Sequence, residues 1–565
     1  MRMGHRTVRS GSRSRLNQTI ALVERLEERR LLSTTISNVS WADGISTGNT
    51  QGDPSVLSPP DSMGAVGPND YVQFTNGVWY VVNLSTGHID SFGNDRFFWQ
   101  GALPSSVYSG IANLGDPRIV YDPLVSRWIA TEDANLQPGY RGSNEVLMAV
   151  SQTSDPAGIW HGIAIPTHPV IGGKATWVDQ PRLGADRNGV YIIATEFSND
   201  QPVTTSYGEG IYTFAASNAF WTGSNYPSTY TAWTNLEFDN DGSGLYPKMQ
   251  PATNFTSGSG YPEMIAGVER KHGGNNTVML VNTINWSGST PSLGATGVTP
   301  FNPSTNVIIP APSPAYQPGN VYPLDAGDGT ISNVVVENTN LWTCLPEGPG
   351  VGPGLGDGFA IIEMPMGALN TLQNVSHGFS PPYDQQIYPS IAVSSNNTWA
   401  VGFTDVNYGP SGYGLYASTD VVAGSSDGTY SSVARVNTGT EYYTGFNGEQ
   451  SPYRWGDYSA TCVDPNNASI FWTFQEDSRA SISSEYTITI GRFQVTTTPG
   501  GAAPLTSNNL SQPVSSQSDV LESSASVQPV FADVPISIRA VGDDPGLDET
   551  HAWTIRSVSK SNARV

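Results

Sequence analysis

Charge is scarce in this 565-residue chain: Asp, Glu, Lys and Arg make up 13% of it, about half of the roughly 25% usual in globular proteins. Cysteine is almost missing. The two present, Cys344 and Cys462, make no Cys-x-x-Cys pair, which excludes a disulfide framework and argues against a thiolate metal or redox centre. Both read as small buried hydrophobes. No run approaches the 18 or so apolar residues that a transmembrane helix needs. Basic residues are few as well, 26 against 49 acidic ones, for a net charge of −23. Eight of the arginines lie within residues 1–32 beside only three glutamates, so the remainder carries −28. A body that acidic repels phosphate, which excludes nucleic acid as a partner and disfavours anionic lipid. Helical periodicity is missing outside residues 16–32.

What is abundant is 60 Gly, 41 Pro, 25 Tyr and 14 Trp. Disordered chains lack such aromatics, so this composition reads as many short strands joined by turns. Residues 1–35 form a basic lead segment and 36–60 a polar lead-in. Residues 61–496 are one compositional block. Residues 497–565 are rich in Ser, Thr, Pro, Gln and Asn, the composition of a flexible linker and tail.

Within 61–496 one pattern recurs: a strand, a polar turn and a second apolar-aromatic strand. It appears as Gly115-Asp-Pro-Arg-Ile-Val-Tyr-Asp-Pro123 before Arg127–Glu132, and as Asp179-Gln-Pro-Arg-Leu183 before Gly189–Glu196. Further copies start at Tyr246-Pro-Lys248, Ile331-Ser-Asn333, Tyr388-Pro-Ser390 and Gly456-Asp-Tyr-Ser459, and a degenerate one spans Asp70–Val82. Arg118, Arg182, Lys248, Asn333, Ser390 and Ser459 are equivalent in this alignment and recur 57 to 85 residues apart. A four-stranded propeller blade takes about 40–50 residues, so the surplus fits long loops. Six or seven such repeats predict an all-β, six- or seven-bladed β-propeller over 61–496. Such a ring closes by joining its first and last segments, which would bring 61–83 near 485–496. An array of sandwiches is the rival.

In each copy the first strand begins with Arg118, Arg182, Lys248, Asn333, Ser390 or Ser459. The second ends with Glu132, Glu196, Glu269, Glu347, Asp405 or Glu476. Those two ends of a hairpin lie at the same edge of the sheet, so these groups are expected to crowd one mouth of the axial channel. The ligand-binding candidates are therefore Arg118, Glu132, Arg182, Glu196, Lys248, Glu269, Asp405 and Glu476. Arg118, Arg182 and Arg454 could clamp a carboxylate; equally, Arg–Glu pairs could brace neighbouring blades. Asp239-Asn-Asp-Gly-Ser-Gly244 matches the first half of a calcium loop, with Asp239, Asp241 and Ser243 as ligands, but Gln250 stands where a bidentate Glu belongs. No cofactor is expected beyond such a Ca²⁺ ion, and a solvated turn explains the loop as well. Trp221, Tyr226, Tyr230 and Trp233 could stack on sugars or fill core. Gly424-Ser-Ser-Asp-Gly428 fits a nucleophile motif only literally, since no helix follows it.

Two resemblances add to this. Leu26-Glu27, Arg29 and Leu31-Leu32 match the Leu-Glu-x-Arg-x-Leu-Leu core of the LEPR-XLL segment of large exported planctomycete proteins, with Glu28 in place of Pro; this implies export to the envelope or surface. Gly115-Asp-Pro, Asp179-Gln-Pro-Arg-Leu, Arg454-Trp-Gly-Asp-Tyr-Ser459 and the relaxed Asp-box Ser151–Trp160 resemble secreted bacterial propellers similar to the sialidase-like fold. The expectation is an exported, cell-surface propeller that binds a glycan or protein ligand without catalysis, or serves a structural role. The alternative is a sialidase-like glycoside hydrolase acting through Glu132, Glu196, Arg118, Arg182 and Arg454 at the channel mouth. The resemblance does not supply the tyrosine–glutamate pair or the acid that such chemistry needs.

Overall fold

The computed structural model describes residues 32–45, 59–136, 144–167, 170–171, 173–198, 206–220, 227–238, 248–256, 260–270, 277–294, 311–319, 322–348, 357–367, 374–377, 384–408, 414–426, 428–445, 451–479 and 485–499. The short apolar-aromatic segments pair with their sequence neighbours into antiparallel four-stranded meanders, seven of them among the described residues. Their first strands are Gly64–Val66, Asn113–Asp122, Lys174–Asp186, Gln250–Asn254, Asn333–Glu337, Asp384–Val393 and Ala460–Val463. Each first strand lies against the next, and Gly64–Val66 touches both Asn113–Asp122 and Ala460–Val463, so the ring closes. In three neighbouring sheets the first strands are even joined by parallel pairing, Ala185 with Thr253 and Ala252 with Val334. A closed ring of radial meanders is a β-propeller. The six well-formed sequence repeats are the first two strands of blades two to seven. The degenerate copy Asp70–Val82 is instead the second and third strands of blade one.

Burial falls off with distance from the axis. Second strands such as Gly189–Ser198 are buried on nearly every residue, because both sheet faces meet a neighbouring blade. Outer strands such as Ile89–Gly93 and Thr231–Leu236 alternate between half-buried and exposed. The core is accordingly a set of inter-blade layers. Ile129, Val146 and Met148 of blade two pack on Val190, Ile192 and Ala194 of blade three. Val421 and Ala423 of blade six pack on Phe471 and Phe493 of blade seven. Cys344 is buried and Cys462 half-buried, both free thiols. The Ser151–Trp160 segment turns between the third and fourth strands of blade two, where the Ser151 hydroxyl accepts from Trp128 N at 2.8 Å.

Two expectations are corrected. Closure does not fall to residues 61–83, which build blade one. The fourth strand of blade seven is Leu32–Asp43, paired antiparallel with Thr487–Pro499 from Leu32–Pro499 to Asp43–Thr489. A strand thus begins inside the segment read as 1–35, and the propeller reaches to residue 499. Residues 61–83 lie against blade seven, with the Tyr71 ring 5.9 Å from Trp472. Short helices also occur. Asp95–Ala102 starts on Asn94, whose Oδ1 accepts from Phe97 N at 2.8 Å. It packs Phe98 between Trp79 and Trp160, at 4.2 and 4.9 Å between ring centres. Eight residues are too few for a 3.6-residue period to stand out in the sequence. The other helical turns among the described residues, Ser105–Tyr108 and Ala216–Ala219, are shorter still.

Candidate functional site at the axial mouth

The first strands of blades two, three and six share one irregularity. Pairing jumps from Gly115–Asp133 to Arg118–Thr131, from Asp179–Thr195 to Arg182–Ile193 and from Ile387–Thr404 to Ser390–Gly402. In each case one strand gains a residue on its partner, which is a β-bulge, a device that re-aims side chains. Each bulge holds an X-Pro pair, Asp116-Pro117, Gln180-Pro181 or Tyr388-Pro389. Its first residue is left-handed, with φ of 56°, 54° and 50°. Asp61, just before the first strand of blade one, has φ 50°. Left-handed non-glycine backbone costs about 1–2 kcal/mol per residue, and here it recurs around one opening.

That opening is a recess of about 310 Å³, lined among others by Arg118, Gln180, Lys248, Tyr388, Arg454 and Asp457. Deeper along the axis lies a second cavity of about 580 Å³, walled by the first strands themselves. Arg118 lines both and so stands between them. The sequence-predicted bases Arg118, Arg182 and Lys248 are therefore gathered at one mouth, but in different states. Arg182 is fully buried: it pairs with Glu209 of its own blade and donates to Thr195 Oγ1 at 3.0 Å and Ile193 O at 3.2 Å. Lys248 Nζ meets Asp328 at 2.7 Å. Arg454 donates to Asp457 at 3.0 Å. Arg118 is 7% exposed and lays its guanidinium 3.3 Å from the Tyr458 ring centre. Its Nε–H has no hydrogen-bond partner. Asn333, Ser390 and Ser459 are neutral ties between blades: Asn333 donates to Ile391 O at 2.8 Å, and Ser459 and Thr461 bond the Ser390 hydroxyl at 2.9 and 2.8 Å.

The predicted acids do not join them. Glu132, Glu196, Glu269, Glu347, Asp405 and Glu476 are buried, and none lines either axial cavity. Side chains of a strand stand perpendicular to the sheet, so in a radial blade the end of the second strand points into an inter-blade layer rather than at the axis. Glu132 accepts from Trp99 Nε1 at 2.5 Å, Glu196 from Asn235 N at 2.6 Å, and Asp405 pairs with Arg435 at 3.2 Å. Burial pushes Glu196 up to about 7, and burial followed by the nearby Asp95 pushes Glu132 well above the carboxylate range. The loop with Asp239, Asp241 and Ser243 lies outside the described residues, as do Trp221 and Tyr226. Tyr230 packs on Phe214 at 5.6 Å, and Trp233 borders the core between blades three and four.

Another acid, Asp457, lines the recess together with Asp325 and Asp328, and it belongs to a cluster of acids beside the mouth. A hydrogen-bonded chain runs across blades seven, one, two and three. Gln180 Nε2 donates to Asp457 Oδ2 at 2.8 Å, Asp457 N to Asp61 Oδ1 at 2.7 Å and Asn76 Nδ2 to Asp61 Oδ2 at 2.9 Å. It continues from Asp116 N to Asn76 Oδ1 at 2.9 Å and from Gln180 N to Asp116 Oδ2 at 3.1 Å. Asp61, Asp116 and Asp457 bring oxygens within 4.8 Å of one another, and so do Asp116, Asp133 and Asp179. Burial and then the Asp457 charge raise Asp61 to about 7; burial and then Asp116 raise Asp179 to about 7. Asp116, between the two groups, is pushed well above the usual range by burial and then by Asp61. Part of this signal was present in the sequence, as the position two before four of the aligned residues, Arg118, Arg182, Ser390 and Ser459: Asp116, Gln180, Tyr388 and Asp457. Strict alternation would put that position on the same face as the aligned residue, and the extra residue and left-handed backbone of the bulge re-aim it.

No family model matches the sequence, and no curated protein matches it. Solved structures do. A protein of unknown function from Dyadobacter fermentans is 9% identical with a TM-score of 0.36, covering 68% of this chain and 95% of its own. A Trypanosoma rangeli sialidase mutant displaying trans-sialidase activity is 11% identical with a TM-score of 0.33, covering 68% of this chain and 54% of its own. A Hadza microbial sialidase is 10% identical with a TM-score of 0.35, covering 69% and 66%. At such values the likeness carries nothing about activity; the ring of sheets itself establishes the fold. Among the described residues no helix is long and apolar enough to cross a membrane.

Proposed function

We propose that the protein is an exported, non-catalytic binding propeller whose axial mouth takes one acidic unit of a surface glycan. The observation that carries this is Arg118: a buried guanidinium at the floor of the 310 Å³ recess with an N–H left unmatched. A sugar carboxylate is the ligand group that best matches such a donor. Arg454, Lys248, Gln180 and Tyr388 supply further polar contacts around it, and the recess sits at the low end of the roughly 300–1,000 Å³ typical of small-molecule sites. Arg182, committed to Glu209, is not part of the clamp, so the three-arginine arrangement reduces to Arg118 and Arg454. The N-terminal Leu26–Leu32 pattern supports export.

Absence of catalysis is favoured because the carboxylates aligned for it are buried and line neither axial cavity. A glycoside hydrolase draws support from one observation, the protonation-prone Asp61 beside Asp457 in the same mouth. The test is binding of the full chain to sialylated and uronate-bearing glycans, run beside hydrolysis of the same compounds. We expect retention without turnover, and loss of retention in Arg118→Met. Turnover that disappears in Asp61→Asn would establish the hydrolase instead.

A further inference from the structure

The two carboxylate groups at the mouth differ in how they are satisfied. In the first, Asp61 and Asp457 are held by N–H donors from Asn76, Asp457, Gln180 and Arg454. In the second, Gln180 N donates to Asp116, the side chains of Asp116 and Asp179 hydrogen-bond each other, and Asp133 meets only its own backbone N–H among the described residues. Asp133 is 6% exposed. A buried carboxylate that meets only its own backbone N–H and is aimed at two others is an arrangement that folding alone does not favour, because it costs desolvation and repulsion with little in return. The backbone enforces it. Asp116 is carried there by the left-handed bulge, Asp179 sits at the matching bulge of blade three, and Asp133 faces Gly115 across the first hairpin.

We propose that Asp116, Asp133 and Asp179 form a divalent-cation site, taking Ca²⁺, that clamps blade two to blade three at the axial mouth. Oxygen-only donors suit a hard cation rather than zinc. Ca²⁺–oxygen distances of about 2.3–2.6 Å put opposite ligands roughly 4.6–5.2 Å apart, and the three oxygens here lie within 4.8 Å of each other. The charged groups facing the site are Arg118, near Asp116, and Lys248, near Asp179, with Asp61 and Asp457 on the far side of Asp116. Ionised together, the three converging carboxylates repel one another, and a dication would offset that repulsion. Water would complete the coordination shell. This site is separate from the 239–243 loop and does not depend on a glycan occupying the mouth.

The experiment uses the full chain stripped with EGTA, then titrated with CaCl₂ at pH 7.5 by calorimetry and by thermal melting. We expect binding in the ~0.1–1 mM range of extracellular calcium modules, with a rise in melting temperature. Asp133→Asn and Asp116→Asn should each weaken Ca²⁺ binding at least tenfold, and Asp241→Asn should leave that binding in place. In EGTA, Asp133→Asn should melt no lower than the parent, because it removes repulsion. If that variant fails to fold, Asp179→Asn reads the same loss. The proposal is overturned if no Ca²⁺ binds up to roughly 10 mM, ten times the weak end of that range. It is also overturned if binding survives Asp116→Asn and Asp133→Asn, or is abolished by Asp241→Asn alone.

Discussion

Blades two and three place an arginine at the same point of the same bulged strand, two residues after Asp116 in one and after Gln180 in the other. Arg182 finds Glu209 on the third strand of its own blade and is sealed in. The third strand of blade two, Asn144–Ser151, has Val146 at the equivalent register, fully buried. Arg118 therefore meets no acid on that strand; it feels the charge of Asp116 on its own strand and lies across Tyr458 of blade seven, at the mouth. One repeat position thus serves cohesion in one blade and exposes a donor to the channel in the next. The difference comes from the partner strand rather than from the arginine. A repeat fold offers each position several times, and the copies not needed for bracing are available for recognition.

The largest effect expected from disturbing this contrast is in blade three. Arg182→Met leaves Glu209 buried and unpaired, so stability should fall by about 3–5 kcal/mol, read by denaturant unfolding. Arg182→Met combined with Glu209→Leu removes both charges and should regain most of that loss, since a buried pair is often replaceable by apolar groups. Recovery of less than half would mean that Arg182 does more than answer Glu209.

Next comes pH. Asp61 and Asp179 titrate near 7 in the folded chain against 3.8 when free. The folded state therefore holds protons that the unfolded chain releases. The stability linked to them is fully present below about pH 4 and is lost as pH rises through 7. In EGTA the melting temperature should fall between pH 5 and 8 on this account, and Asp61→Asn should flatten the slope. A smaller effect is expected from Arg118→Met, which forfeits the contact with Tyr458, worth about 0.5–2 kcal/mol. Smallest of all is the effect of Glu196→Gln on ligand retention: none, because Glu196 faces Asn235 inside blade three.

The repeat was legible because the strand-turn-strand signature carries turn residues and aromatics at fixed places, as in Asp122-Pro123 and Asp464-Pro465. Both carboxylates accept from the turn backbone, from Leu124 N and Asn466 N. The bases of the mouth were legible for the same reason. The acids were misplaced because sequence alignment fixes position along a strand but not the direction of a side chain in a radial sheet. Glu132 and Asp133 are neighbours, and pleating sends the first to Trp99 of the helix after blade one and the second to Asp116 at the mouth. The closing strand Leu32–Asp43 escaped notice because its pairing partners lie 446 to 467 residues away, and half-exposed outer strands carry a weak apolar signal.

The central claim, that one repeat position is structural in blade three and recognitive in blade two, is tested most directly by Arg118→Met and Arg182→Met side by side. Each is measured for unfolding free energy and for retention of acidic glycan. The account predicts that Arg118→Met keeps nearly the parent stability and loses retention, while Arg182→Met loses stability and, at temperatures where it remains folded, still retains the glycan. Retention unaffected by Arg118→Met, or stability equal in Arg182→Met and the parent, would contradict it.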